Sequence, residues 1–185
     1  MERTMEATAD APPHGAAFDT LPLHPGLHAN LKHLGYLTMT PIQAASLPLT
    51  LAGRDLIAQA KTGSGKTAAF ALPLLTNLNP RRFAVQAIVL CPTRELADQV
   101  TKEIRRLARF MDNIKVLSLV GGTTMGPQRA SLEHGAHIVV GTPGRILDHL
   151  ERGSLNLDAV NTLVLDEADR MLDMGFHDDI VYVAQ

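Results

Sequence analysis

Two short stretches hold the side chains best suited to chemistry. AKTGSGKT, residues 60–67, sets a lysine and hydroxyls among glycines, and LVLDEADRML, residues 163–172, runs an apolar segment straight into Asp166, Glu167 and Asp169. Carboxylates crowded at the mouth of a buried strand repel one another and lose solvation, so the cluster is sensible where something cationic sits beside it. The glycine-rich stretch can bring that cation. Gly63 and Gly65 permit backbone angles closed to other residues and let amide N–H groups approach an anion. The helix start that follows adds unpaired N–H groups and a partial positive charge. With Thr62, Gly63, Ser64 and Gly65 around the phosphates of a nucleotide, Lys66 contacts the terminal phosphates and the Thr67 hydroxyl ligates Mg²⁺. Asp166 then holds the metal through water, and Glu167 orients or deprotonates the attacking water. Each stretch has a plainer alternative: a glycine-rich turn with a solvated lysine, and an acidic helix N-terminus favoured by the helix dipole. Together they point to a magnesium-nucleotide site, although Ala60 stands where the general phosphate-loop pattern begins with glycine.

The elements around them suit such a site. DLIAQA precedes the loop and the helix-like AAFALPLL follows it; further strand-like runs are AIVLC, KVLSLV, HIVVG and TLVLD. Between them lies TRELADQVTKEIRRLARF, where Leu96, Val100, Ile104 and Leu107 make an apolar stripe at helical spacing. Short apolar strands alternating with amphipathic helices imply an α/β fold, a mostly parallel sheet with helices on both faces. Ligands of such sheets gather at the carboxyl ends of the strands, where the distinctive stretches fall. Residues 1–17 are expected to form a flexible leader. Phe18 to Tyr36 is expected to be an entry segment with one helix stopped near Gly35, and Thr40-Pro41 an N-cap with proline at the first helical position.

Composition narrows the function. The 185 residues suit one domain, with 45% hydrophobic residues and mean hydropathy +0.04. No apolar run is long enough to cross a membrane, and the opening residues lack the pattern of a secretory signal, so a cytoplasmic protein is expected. Cys91, the single cysteine, ends an apolar run and is expected to be a buried, inert thiol. A net charge of −2 argues against nucleic-acid binding through bulk basicity, though not against holding a few phosphates at chosen points. No Trp and 4% aromatics argue against a large stacking platform for bases. Lys102, Arg105, Arg106 and Arg109 are expected on a solvated helix face. His24 and His28 make a poor metal site, with Pro25 and Gly26 between them. His134, His137, His149 and His177 show no ligand spacing, and Met171 and Met174 are expected as core filler.

LDEAD at 165–169, AKTGSGKT, PTRELA at 92–97, the glycine pair 121–122, TPGR at 142–145 and GYLTMTPIQ at 35–43 together resemble the ordered motif set of the DEAD-box ATP-dependent RNA helicases. All fall in the first of that family's two RecA-like domains, and the resemblance covers the chain from Phe18 onward. Ala60 is what this family uses. The wording of LCPTRELADQV and EIRRLARF is similar to the bacterial DbpA-like branch. The resemblance implies ATP and Mg²⁺ as cofactors, with adenine recognised by the GYLTMTPIQ stretch, including Tyr36, Thr38 and Gln43. The Gln43 amide offers a donor and acceptor side by side for the adenine edge, and Phe18 matches the family's upstream aromatic that packs on the base. Pro92, Thr93, Arg94, Gly121, Gly122, Thr142, Pro143, Gly144 and Arg145 are implied to line a track for the RNA backbone, with little base specificity. Asp169 is expected to order neighbouring motifs.

The family's next motif, Ser-Ala-Thr, does not occur before Gln185. The expected organisation is thus a leader at 1–17 and a RecA-like domain at 18–185, C-terminally incomplete, with a second RecA-like domain elsewhere in the full-length protein. The 185 residues alone are expected to bind adenine nucleotide weakly at best and not to unwind RNA. Two other functions stay open: a non-catalytic module binding RNA or protein through this scaffold, and a P-loop ATPase acting on DNA.

Overall fold

The computed structural model describes residues 17–52, 65–111 and 113–184. Residues 1–16 of the leader, the DLIAQA run, and Ala60, Thr62, Gly63 and Ser64 of the phosphate loop lie outside the described residues. The chain divides into two compact units, Met1–Asn77 with Arg106–Met111, and Leu78–Arg105 with Asp112–Gln185.

Among the described residues, the first unit carries a 3-10 turn, Phe18–Thr20, and three helices, α1 (Pro25–His33), α2 (Pro41–Leu51) and α3 (Lys66–Thr76). Helix α1 starts where His24 Nδ1 accepts the Gly26 N–H at 3.0 Å, and the chain leaves it through Gly35 at φ +81°. His28 Nε2 lies 3.0 Å from the Leu21 carbonyl, so His24 and His28 both hold local backbone. Helix α2 begins with a complete capping box, the Gln43 N–H reaching Thr40 Oγ1 at 3.5 Å while the Thr40 N–H donates to Gln43 Oε1 at 2.9 Å. Helices α2 and α3 pack on one another, with Leu47, Ala71, Leu72 and Leu75 fully withdrawn from solvent. Such side chains contribute about 1.5–3 kcal/mol each when large and aliphatic. Buried Asn30 donates from Nδ2 to the carbonyls of Arg106 and Leu107, 2.7 Å each, satisfying groups that a helix end leaves open.

Among the described residues, the second unit is built on four short strands, β1 (Ala87–Leu90), β2 (Val116–Leu119), β3 (Ile138–Gly141) and β4 (Thr162–Leu165). They pair in the order β2-β3-β1-β4, every pair parallel. Helices α4 (Arg94–Leu107), α5 (Met125–His134), α6 (Pro143–Glu151), α7 (Ala168–Asp173) and α8 (His177–Ala184) follow the strands in turn. β1 and β3 are buried at every position, so both their faces are covered, as their unbroken apolar runs require. Ile88, Leu90, Leu119 and Val139 gather with Ile146 of α6, Met171 of α7, and Ile180 and Val183 of α8 into one core. Position 141, the last of β3, is a glycine where a Cβ would run into the Leu119 carbonyl. β4 alternates half-buried and exposed residues, with Leu163 at 36% and Leu165 at 38% exposure.

Most expected elements appear, with two adjustments. The apolar face of α4 buries Ala97, Val100, Ile104 and Leu107, whereas Leu96 is half-buried at its margin. Met171 is fully buried, but Met174, expected as core filler, is 48% exposed, because it caps the C-terminal end of α7. Cys91 is buried, as its place after AIVL implied. Lys102, Arg105, Arg106 and Arg109 are exposed, with Arg105 Nη2 donating to the Val116 carbonyl at 2.7 Å.

Candidate nucleotide and RNA site

Two of the candidate phosphate-binding residues, Lys66 and Thr67, form the first turn of α3, and both are half-buried. The N-cap is Gly65 at φ +86°, which has no side chain to cap the first-turn N–H groups. That combination gives the helix start a positive potential suited to an anion. A Cβ on Gly65 would collide with Gln43 Nε2 and stand 2.8 Å from Thr40 Oγ1. The close approach has a purpose: Gln43 Nε2 donates to the Gly65 carbonyl at 3.2 Å, which also accepts the Ala69 N–H at 3.1 Å. Gln43 is 1% exposed. Its amide therefore ties the α2 cap to the start of α3, with one N–H and one lone pair left over. Phe18 is buried and meets Tyr36 edge-on, ring centroids 6.2 Å apart, and Ala17 bridges Thr38 in an isolated antiparallel pairing. The upstream aromatic and the GYLT segment are thus brought together, although they stand far apart in the chain.

In the second unit the register places the remaining motifs at one end of the sheet. Leu90 pairs with Gly141 and with Leu165, and Leu119 pairs with Gly141. The residues that follow each strand therefore leave from the same edge of the sheet: Pro92, Thr93 and Arg94 after β1, Gly121 and Gly122 after β2, Thr142 to Arg145 after β3, and Asp166 and Glu167 after β4. The Asp166 N–H donates to the Leu90 carbonyl at 2.9 Å, carrying the ladder one residue past β4. Its side chain belongs to a residue only 3% exposed. Glu167 takes the left-handed conformation, φ 55° and ψ 52°, and its half-buried carboxylate lies 3.3 Å from Arg170 Nη1. A left-handed residue other than glycine carries strain of about 1–2 kcal/mol, a cost found where backbone direction matters more than stability. Asp169 is exposed in the first turn of α7.

The candidate RNA-contacting arginines lie against the turn that holds the glycine pair, Arg94 over Gly122 and Arg145 on Thr123. A Cβ on Gly122, at φ +78°, would stand 2.9 Å from Arg94 Nη1, so the guanidinium lies directly over that backbone. Arg145 Nη1 donates to the Thr123 carbonyl at 3.0 Å and to Gln128 Oε1 at 3.3 Å. Thr93 Oγ1 accepts the Leu96 N–H at 3.2 Å, capping the start of α4. Thr142 precedes Pro143 and Gly144 in the first turn of α6, without a side-chain cap. Positions where an added Cβ would meet nothing, Gly121 and Gly144, leave backbone open to an approaching phosphate.

Sequence spacing did not single out the residues beneath this surface. Gln128 on α5 donates from Nε2 to the Val120 carbonyl at 3.1 Å and to Thr123 Oγ1 at 2.9 Å. Its Oε1 lies 2.8 Å from Nε2 of His149, which is fully buried on α6. Nδ1 of His149 lies 2.7 Å from Ser154 Oγ. Burial, and then the Arg145 charge, push the His149 pKa below its ordinary value.

In the first unit, the start of α3 offers N–H groups without a side-chain cap, which suits phosphate. In the second unit, the buried Asp166 carboxylate is an oxygen donor of the kind a hard cation takes. No helix among the described residues is long and apolar enough to cross a membrane.

A family model described as DEAD/DEAH box helicase matches residues 40–185. The chain is 64% identical over 165 residues to the ATP-dependent RNA helicase DbpA of Escherichia coli strain K12, covering 89% of this chain and 36% of that protein. It is 48% identical over 163 residues to the DEAD-box ATP-dependent RNA helicase CshA of Bacillus licheniformis, covering 88% of this chain and 33% of that protein. Among solved structures it resembles a DEAD box protein from the hyperthermophile Methanococcus jannaschii, with a TM-score of 0.86 and 44% identity over 92% of this chain and 46% of the other. The chain thus spans about a third of the length of the curated relatives it matches.

Proposed function

The chain belongs to the DEAD/DEAH box helicase family, and from that premise we propose that it is the ATP-binding first RecA-like domain of an RNA helicase, which couples ATP hydrolysis to local separation of RNA strands. The observation that carries the reading is the sheet register, which gathers PTRELA, the glycine pair, TPGR and the DEAD acids at the carboxyl ends of four parallel strands.

In this reading Lys66 holds the terminal phosphates and stabilises the charge that builds on them, while Thr67 and Asp166 hold Mg²⁺. The magnesium-nucleotide supplies the transferable phosphoryl group and a divalent charge to offset it. Glu167 orients the attacking water or accepts its proton, with Arg170 beside its carboxylate. Thr62, Gly63, Ser64 and Gly65 wrap the phosphates. The remaining N–H and lone pair of Gln43 read the adenine edge, against Phe18 and Tyr36, with Thr38 beside them. Arg94 and Arg145 contact RNA phosphates, and Pro92, Thr93, Gly121, Gly122, Thr142, Pro143 and Gly144 shape the track. Backbone contacts of this kind position a strand without reading its sequence. Asp169 orders the motifs around the acids. A second RecA-like domain is the partner against which this one closes, in the cytoplasm.

The test is phosphate release from the full-length protein with ATP and Mg²⁺, with and without RNA. RNA-stimulated release that is lost in Lys66→Ala and Glu167→Gln supports the reading. Normal rates in both variants reject the assigned roles. Equal stimulation by single-stranded DNA would favour a DNA-directed ATPase, and no release at all a non-catalytic module. The 185-residue chain by itself is expected not to unwind RNA.

A further inference from the structure

We infer that Gln128 and His149 are positioning residues that hold Arg145 and the Gly121–Gly122 turn in the arrangement that receives an RNA phosphate. The inference rests on the RNA reading above and assigns the buried side chains that organise that surface.

Gln128 brackets the glycine pair. Its Nε2 donates to the carbonyl of Val120, just before the glycines, and to the hydroxyl of Thr123, just after them. The Thr123 hydroxyl also donates to the Val120 carbonyl at 3.1 Å, closing the turn. Carbonyl oxygens only accept, so the contact with Val120 fixes which end of the Gln128 amide is nitrogen. Oε1 must then face Arg145 and His149, and it accepts from both, at 3.3 Å and 2.8 Å. The contact with Oε1 requires a proton on His149 Nε2. In the neutral ring Nδ1 then accepts from the Ser154 hydroxyl, 2.7 Å away, whose one proton is shared with the His149 carbonyl at 3.2 Å. Buried side chains bonded to one another in this way hold each other rigidly.

Arg145 is held at two points by one nitrogen, Nη1, which donates to Thr123 and to Gln128. The other guanidinium nitrogens retain N–H groups for a phosphate. Preorganising that fork spares the ordering of a long side chain at the moment of binding. Gln128 and His149 are both buried, so neither is a candidate to touch RNA itself. Their effect travels through Arg145 and the turn.

The test measures binding of a labelled oligouridine to the full-length protein by fluorescence anisotropy across KCl from about 20 to 200 mM. Each phosphate neutralised on a single strand contributes about 0.7 to the slope of log affinity against log salt. Arg145→Ala should lower that slope by about this amount and weaken binding about tenfold. Gln128→Met, close to isosteric, should reproduce the slope loss, and adding it to Arg145→Ala should change the slope no further. A purely structural loss would lower affinity in both backgrounds. If Gln128→Met lacks the wild-type melting transition, Gln128→Asn is measured in its place with the same expectation, since its amide is one methylene too short to reach Arg145. If Arg145→Ala reduces the slope and neither Gln128 variant does, the inference fails while the RNA reading stands. If Arg145→Ala leaves the slope unchanged, or the full-length protein binds no RNA at low salt, the RNA reading fails and the inference with it.

Discussion

The guanidinium of Arg94 lies against the backbone of Gly122, Nη1 standing 2.9 Å from where a Cβ would be. Gly121, one position earlier, faces open space. Two adjacent glycines therefore have different reasons to be glycine.

Substituting them should separate those reasons. Gly122→Ala places a side chain at φ +78° and pushes Arg94 aside, costing about 1–2 kcal/mol of stability. Gly121→Ala should leave the thermal melt within about 0.5 kcal/mol of the parent, as surface substitutions do, yet weaken oligonucleotide binding by filling the open approach. Equal stability losses in the two variants would contradict this assignment.

Gly65→Ala should damage the nucleotide side twice. The residue sits at φ +86°, and its new Cβ meets the Gln43 amide and the Thr40 hydroxyl, so the α2 capping box is disturbed as well. Together these should remove roughly 2–3 kcal/mol, combining backbone strain with a lost cap. A denaturant melt unchanged by the substitution would show that the Gln43–Gly65 contact carries little energy.

Glu167→Asn should trade activity for stability. Asparagine accepts the left-handed conformation better than glutamate does, so relief of roughly 1 kcal/mol is expected. The contact with Arg170 that it gives up is partly exposed and worth little. ATP turnover should collapse in the same variant. Loss of stability alongside activity would mean that the left-handed residue is not strained.

Stability should also depend on pH through His149. Burial first and Arg145 second lower its folded pKa, with Arg129 and Arg152 adding to the effect and Asp148 opposing it. The unfolded chain then takes up the proton more readily than the folded one, so stability rises with pH between the folded value and about 6.5. The contribution is complete above that upper limit and is lost as pH falls through the folded value. Urea midpoints across this range should show the slope in the parent and a flatter profile in His149→Gln; identical profiles would exclude His149 as the source.

What could be seen in the sequence was what repeats or sits close together. The four described strands followed from short, mostly apolar runs, and α4 from a period of helical spacing, although its buried face includes Ala97 and leaves Leu96 at the margin. The Thr40–Gln43 cap was half visible: Thr40-Pro41 announced a helix start, but not that the Gln43 side chain would close the box and then reach Gly65. The Gln128–His149–Ser154 network was invisible for a different reason. Its members lie on α5, α6 and the loop beyond, and neither their spacing nor their types mark them before the chain is folded. Met174 was misplaced because a methionine near an apolar helix looks the same whether it faces inward or caps an end.

The tie between the Asp166 N–H and the Leu90 carbonyl has a consequence for the acidic pair. It anchors Asp166 to the strand's own alternation, and the left-handed turn begins only at Glu167. One carboxylate is therefore set into a dry wall and its neighbour reaches toward water, although the two are chemically near twins. Sliding the pair a single position along β4 would exchange those surroundings. The order aspartate-then-glutamate is thus a matter of which acid is dry, and inserting one residue ahead of Asp166 would scramble it even with every charge retained.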